Sequence, residues 1–263
     1  MPSLSRASLA LPSVAILLLA LTACAAAPQT PDPRDPLERI NRTTYAFNQS
    51  LDKAVVRPVL RGYRKVTPKV VRTGISNFFD NAEYPIVLVN NLLQGKLRPA
   101  LNDSGRFLMN TTLGLGGLLD PATHAGLDRN NEDFGQTLGR WGLPPGAYVV
   151  VPFLGPYTIR DGIGSLADEF AEPRHYLEDD STRYELWALA KLDQRSGLSE
   201  ADSILDRSGD PYAFVRSAYL QRRQYLVTDG AESSGPTMEE DPALMEDPAL
   251  QEDLRGDSPT PPK

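Results

Sequence analysis

Residues 35–48 read Asp35-Pro-Leu-Glu-Arg-Ile-Asn-Arg-Thr-Thr-Tyr-Ala-Phe-Asn48. The order predicts a helix start: Asp35 in the N-cap place, Pro36 at the first helical position where a missing N–H costs little, and Glu38 in the first turn where acid suits the helix dipole. Leu37, Ile40, Tyr45, Phe47 and Leu51 then recur at helical spacing and are expected to line one broad face to about Lys53. Asn41, Asn48 and Gln49 fall on or beside that face, which is more polar than a plain core helix requires.

Immediately downstream, residues 53–72 hold seven basic side chains (Lys53, Arg57, Arg61, Arg64, Lys65, Lys69, Arg72) and no acidic one. Their spacing keeps them on one helical side, with valines and Leu60 on the other. A basic amphipathic stretch of this kind suits a membrane interface, and it equally suits a solvated face over an ordinary core. Pro58, Gly62 and Pro68 are expected to break it into short pieces. Further helices are expected over Pro85–Gly95 and Pro99–Met109, each begun by its proline, and over Ile159–Phe170, Tyr184–Leu192 and Asp210–Leu226. Between them, Gly-Leu-Pro-Pro-Gly followed by Val149-Val150-Val151 predicts a turn and a short extended segment. Thr111-Thr-Leu-Gly-Leu-Gly-Gly-Leu-Leu-Asp120 lacks the third glycine, the preceding strand and the acidic residue of a dinucleotide site, so close packing or a hinge is its expected use. The reading is a single, all-α domain from about 35 to 228.

The two ends differ from this body. Arg6 precedes an apolar run from Leu9 to Leu21, too short for a comfortable membrane span and right for a signal peptide over residues 1–23. It ends in Leu21-Thr-Ala-Cys24, which is similar to a bacterial lipobox, and Cys24 is the only cysteine of the chain. Lipidation of Cys24 would explain both its number and its place, and would tether the protein to a membrane without spanning it. Residues 24–34 are Pro-rich and read as a short leash; Ala25, where an Asp would favour inner-membrane retention, favours the outer membrane. At the other end, residues 229–263 carry ten acidic and two basic side chains, with Glu240-Asp-Pro-Ala-Leu echoed at Glu246, and are expected to be a disordered tail. Such a tail could reach a partner or merely solubilise.

That tail accounts for the net charge of −7 and leaves the body near neutral, so no nucleic-acid partner is expected. Two histidines, His124 and His175, stand without metal-ligand spacing; there is no Gly-x-Ser-x-Gly and no phosphate-cradling loop. Asp161, Asp168 and Glu169 could pair for acid/base work, but they read equally as helix-face charges. Neither a catalytic site, nor a metal, nor a cofactor is expected.

The stretch 35–48, then Val56-Arg-Pro-Val, Ser76-Asn-Phe, Val89-Asn-Asn-Leu-Leu-Gln-Gly, Arg106 through Asp120, Asp133-Phe-Gly-Gln-Thr-Leu-Gly, Val151-Pro-Phe-Leu-Gly-Pro, Thr158-Ile-Arg-Asp and Asp210-Pro-Tyr form an ordered set. Together they resemble the MlaA (VacJ) family of outer-membrane phospholipid-transport lipoproteins over about 35–228. The resemblance implies a ring-shaped helical domain in the inner leaflet of the outer membrane, with a polar central channel. It also implies partners: phospholipid, a trimeric porin alongside, and a soluble periplasmic phospholipid carrier (MlaC-like) that takes lipids strayed into the outer leaflet. On that reading Asn41, Phe47, Asn48 and Gln49 are channel or gate candidates. Arg57, Arg61 and Arg64 are candidates for headgroup contact, and Gly114, Gly116 and Gly117 for a hinge. The rival is an envelope scaffold that binds porin or peptidoglycan without moving lipid, which would not need polar residues on apolar helix faces.

Overall fold

The computed structural model describes residues 32–231. The expected signal peptide, Cys24, most of the leash and nearly all of the acidic tail lie outside the described residues.

The first helix, α1 (Glu38–Leu51), passes through a π turn (Asp52–Val56) into α2 (Arg57–Val66). Pro58 and Gly62 do not break it, contrary to expectation, because Pro58 sits in the first turn of α2, directly after the widened turn. Nor does Asp35 cap α1. The N-cap is Leu37, without a side-chain bond, and the Asp35 carboxylate is spent on other partners described below. Thr67 and Pro68 turn the chain extended, and α3 (Lys69–Leu93) then runs on through Pro85. The helix expected to begin at Pro85 is therefore the second half of a longer one. Buried Tyr84, Ile86 and Val87 hold it on both sides of the proline, offsetting an interior cost of about 3 kcal/mol.

Helix α4 (Leu97–Thr112) packs back along α3, followed by the single turn α5 (Pro121–His124) and α6 (Phe134–Arg140). Strands β1 (Tyr148–Val151) and β2 (Gly155–Thr158) form an antiparallel hairpin, with Tyr148 opposite Thr158 and Val151 opposite Gly155. This hairpin occupies the place of the expected extended segment and is the one sheet among the described residues. Then come α7 (Ile159–Ala171), α8 (Asp180–Gly197), the short α9 (Asp202–Leu205) and α10 (Pro211–Val227). Asp210 caps α10 by accepting from the Ala213 N–H at 3.1 Å. The fold is mostly helical. Helix α6 lies so close to α7 that a Cβ on Gly164 would stand 2.2 Å from the Gly135 backbone nitrogen. A small apolar cluster of Tyr148, Val150 and Tyr212, with Tyr45, Tyr219 and Leu220 against it, joins the hairpin to α1 and α10.

Candidate functional site

Beyond that cluster the distribution of polarity runs against the usual rule. On α4 the inward stripe is Asp103, Arg106 and Asn110, while Leu97, Leu101 and Leu108 face out, Leu101 with 74% of its surface open. On α7 Arg160 and Asp161 are buried, and Ile159, Ile163, Leu166 and Phe170 form an exposed stripe at steps of three and four residues. On α3 the asparagines 81, 90 and 91 are inside, whereas Val70, Val89 and Leu92 are exposed. An apolar exterior of this extent is unfavourable in water at roughly 25 cal/mol per Å² and becomes favourable against hydrocarbon. No described helix is long and apolar enough to cross a membrane.

Many of the buried polar groups pair with one another, although single atoms such as the Asn81 and Asn91 Oδ1 and the Tyr148 hydroxyl have no hydrogen-bond partner among the described residues. Arg106, 1% exposed, donates to the Tyr84 hydroxyl at 2.5 Å, to the Leu127 carbonyl at 2.5 Å and to both Asp120 oxygens at 2.8 and 2.9 Å. Asp103 accepts from Asn91 at 2.8 Å and Asn130 at 3.0 Å. Arg223 clamps Asp133 through two nitrogens at 2.6 and 2.9 Å and reaches Asp161 at 2.8 Å, where Tyr219 also donates at 2.9 Å. Burial by itself would raise the carboxyl groups of Asp133 and Asp161. The Arg223 hydrogen bonds and charge outweigh it and hold both below the usual carboxylate range. Asp168, one of the carboxylates weighed for acid/base work, accepts from the Phe134 N–H at 2.9 Å and from Asn90 at 3.2 Å. It joins α6 to α3 and α7.

Two of the gate candidates hold the hairpin. The Asn41 side chain donates to the Tyr148 carbonyl at 2.9 Å and to Asp35 at 2.7 Å, and accepts from the Val150 N–H at 2.9 Å. Seven residues on, Asn48 donates to the Val151 carbonyl at 3.0 Å and accepts from the Phe153 N–H at 2.9 Å. Two turns of α1 thus complete the outer edge of β1 as a third strand would, a covering that edge strands need. This corrects the channel expectation for Asn41, which is 1% exposed and has its whole amide committed. Asp35 also receives the Tyr212 hydroxyl and Arg216. Phe47 is exposed and packs edge-on against Phe153 at the hairpin tip, ring centroids 5.4 Å apart. Gln49 is half-buried with no side-chain hydrogen bond to the described residues.

The three arginines differ among themselves. Arg57 is committed to Asp52 at 2.9 Å, Asp206 at 2.7 Å and Asp202 at 3.3 Å. Arg64 donates to the Ser196 carbonyl at 2.6 Å and to the Ser196 and Ser199 hydroxyls. Arg61 is exposed and has no hydrogen bond or ion pair among the described residues. The glycines expected at a hinge serve a packed turn. A Cβ on Gly114 would lie 2.3 Å from the Asn110 carbonyl oxygen, and Gly117, at φ +95°, backs onto Asn81. Gly116 also has positive φ. His124 is exposed at the end of α5.

Two charged side chains escaped the sequence reading. Glu83 on α3 and Lys191 on α8 keep open surface, yet the protein around them pushes the Glu83 carboxyl up and the Lys191 ammonium down. Each feels the other's charge, and both helices are in contact. Single charges in separate helices give no local signal; a charge placed among asparagines on α3, opposite its valines, was the one available hint.

The family model described as MlaA lipoprotein matches residues 33–226. The "Intermembrane phospholipid transport system lipoprotein MlaA" of Escherichia coli (strain K12) is 41% identical over 200 residues, covering 74% of this chain and 79% of that protein. The protein of the same description from Haemophilus influenzae is 32% identical over 224 residues, covering 81% and 88%. A solved chain from "Structural basis for maintenance of bacterial outer membrane lipid asymmetry" superposes with a TM-score of 0.67 at 38% identity, covering 73% of this chain and 98% of that one.

Proposed function

Because the chain belongs to the MlaA lipoprotein family, we propose that it removes phospholipids misplaced in the outer leaflet of the outer membrane and passes them to a soluble periplasmic carrier, so maintaining lipid asymmetry. The observation that carries this reading is the reversed polarity of the helices: leucines, isoleucines and Phe170 outside, hydrogen-bonded charge inside. A scaffold standing in water gains nothing from such an arrangement. A body sunk in one leaflet gains twice, since its exterior meets acyl chains and its interior offers a headgroup the polar surroundings it would lose in hydrocarbon.

In this reading Glu83 and Lys191 border the polar path, and the apolar exterior meets both acyl chains and a trimeric porin. Lipidated Cys24 holds the assembly on the periplasmic side. Asn41 and Asn48 act through the hairpin they hold, with Phe47 and Gln49 beside it. Transfer of this kind breaks and makes no covalent bond, so neither a catalytic residue nor a cofactor enters. The test is the phospholipid content of the outer leaflet in a deletion strain complemented by the wild type or by Cys24→Ala. Surface phospholipid that rises on deletion and is cleared only by the lipidated protein supports the reading. An unchanged outer leaflet with impaired porin assembly would replace it with the scaffold.

A further inference from the structure

Along one side of α2, where it meets the end of α8 and α9, lies an open cleft of about 340 Å³, at the low end of the volumes that hold small molecules. Leu60 lines it with Ser199 and Asp202, and four cations converge there, Lys53, Arg57, Arg61 and Arg64. Asp202 is the carboxylate of the lining, and Asp52 and Asp206 pair with the same cations from outside it, so four positive charges meet three carboxylates and one is in excess. Two of the four are already fixed: Arg57 by its three aspartates, and Arg64 by Ser196 and Ser199. The other two are uncommitted or nearly so, Arg61 having no partner among the described residues and Lys53 only a loose approach to Asp206 at 3.6 Å. On the opposite side of the same helix Val59 and Val66 are exposed.

We infer that this cleft binds the phosphate of an anionic phospholipid headgroup, with Arg61 and Lys53 closing on its oxygens beside the fixed Arg64. A guanidinium matches phosphate in plane and charge, and an ammonium serves as a mobile point charge. The exposed valines across α2 favour a lipid over a soluble ester, because they place the helix where acyl chains are at hand. The inference rests on the proposed lipid transport and adds a headgroup class to it: a net negative lipid fits the surplus of cations better than a zwitterionic one.

The experiment uses the full-length lipidated protein in nanodiscs made of equal parts dioleoyl phosphatidylglycerol and dioleoyl phosphatidylcholine, with the retained lipids counted by native mass spectrometry. Wild type is expected to retain phosphatidylglycerol in preference. Arg61→Glu and Lys53→Glu are each expected to lower the ratio roughly fivefold or more, the scale of one basic side chain's contact with anionic lipid. Arg98→Glu, an exposed charge on α4, is expected to leave it unchanged. An unaltered ratio in Arg61→Glu overturns the proposal, as does an equal loss in Arg98→Glu, which would mean a general field rather than a site. Glycerol 3-phosphate added in solution separates the sources: displacement supports recognition of the phosphate ester alone, and persistence with the Arg61 dependence intact supports recognition of the lipid. A wild type that retains neither lipid would count against transport itself, whereas equal retention of both counts against the cleft only.

Discussion

Replacing Asn41 with leucine keeps the branching and the number of side-chain heavy atoms, adds bulk, and removes three hydrogen bonds. The Val150 N–H and the Tyr148 carbonyl lose their partner at a fully buried site, and Asp35 keeps only Tyr212 and Arg216. Each buried polar group left unmatched costs about 1–3 kcal/mol, so the sum is about 4 kcal/mol, a large share of the roughly 5–15 kcal/mol of a typical domain. Asn48→Leu removes the same kind of pairing two turns later, where the Phe153 N–H is exposed and water can replace the side chain. It is expected to cost about 1 kcal/mol. The assay is denaturant unfolding in mild detergent, followed by tryptophan fluorescence, with wild type and both variants in parallel. If Asn41→Leu lost no more than Asn48→Leu, burial would not govern these bonds and the strand-edge reasoning would be refuted.

Gly164→Ala drives a methyl into the Gly135 backbone nitrogen at 2.2 Å and is expected to prevent α6 and α7 from docking, seen as loss of a cooperative unfolding transition; Gly162→Ala, with nothing within 4 Å, should be neutral or gain up to about 1 kcal/mol. Asp133 and Asp161 are held below the usual carboxylate range in the fold. The stability they contribute is full above their unfolded value of about 3.9 and is lost as pH falls through their folded values; Arg223→Met should lower stability at neutral pH and flatten that acid limb in unfolding curves recorded from pH 7 downward. Trp141, 56% exposed with its indole N–H on the Leu93 carbonyl at 3.1 Å, should be quenched when brominated phospholipid replaces the ordinary kind; emission that stays the same would mean this part of the surface does not meet acyl chains.

The helices were largely legible in sequence, and their orientation was not. The steps at Ile159, Ile163, Leu166 and Phe170 give the phase of a helical stripe whichever medium it faces, and a reader who assumes water buries the wrong side. At α1 its N-cap Leu37 with Ile40 and Phe47 is likewise exposed, and the buried residue is Asn41. The family resemblance pointed to a membrane but not to which residues form the interior. That interior is made by partners far apart in the chain, Asn41 with Tyr148, or Arg223 with Asp133 and Asp161, and local pattern carries no trace of such pairs. Arg57 shows the same limit: its basic neighbours suggested a lipid contact, while two of the three aspartates that occupy it, Asp202 and Asp206, come from α9 and its end, far along the chain. Pro85 misled in the opposite sense, because helix-starting chemistry was overridden by tertiary packing.

The π turn at Asp52–Val56, where the Arg57 N–H reaches back five residues to the Asp52 carbonyl, has a consequence for how this chain tolerates change in length. A widened turn absorbs one residue more than an α-helix would at that point, while the elements on either side keep their facing. Deleting one residue there can be repaired by tightening the turn, leaving Asn41 on the hairpin and Arg61 at the cleft. The same deletion in α3 would swing everything beyond it by about 100°, at 3.6 residues per turn, and turn its buried asparagines out of the interior. Related chains that differ by one residue in this part of the molecule are therefore expected to differ between Asp52 and Val56.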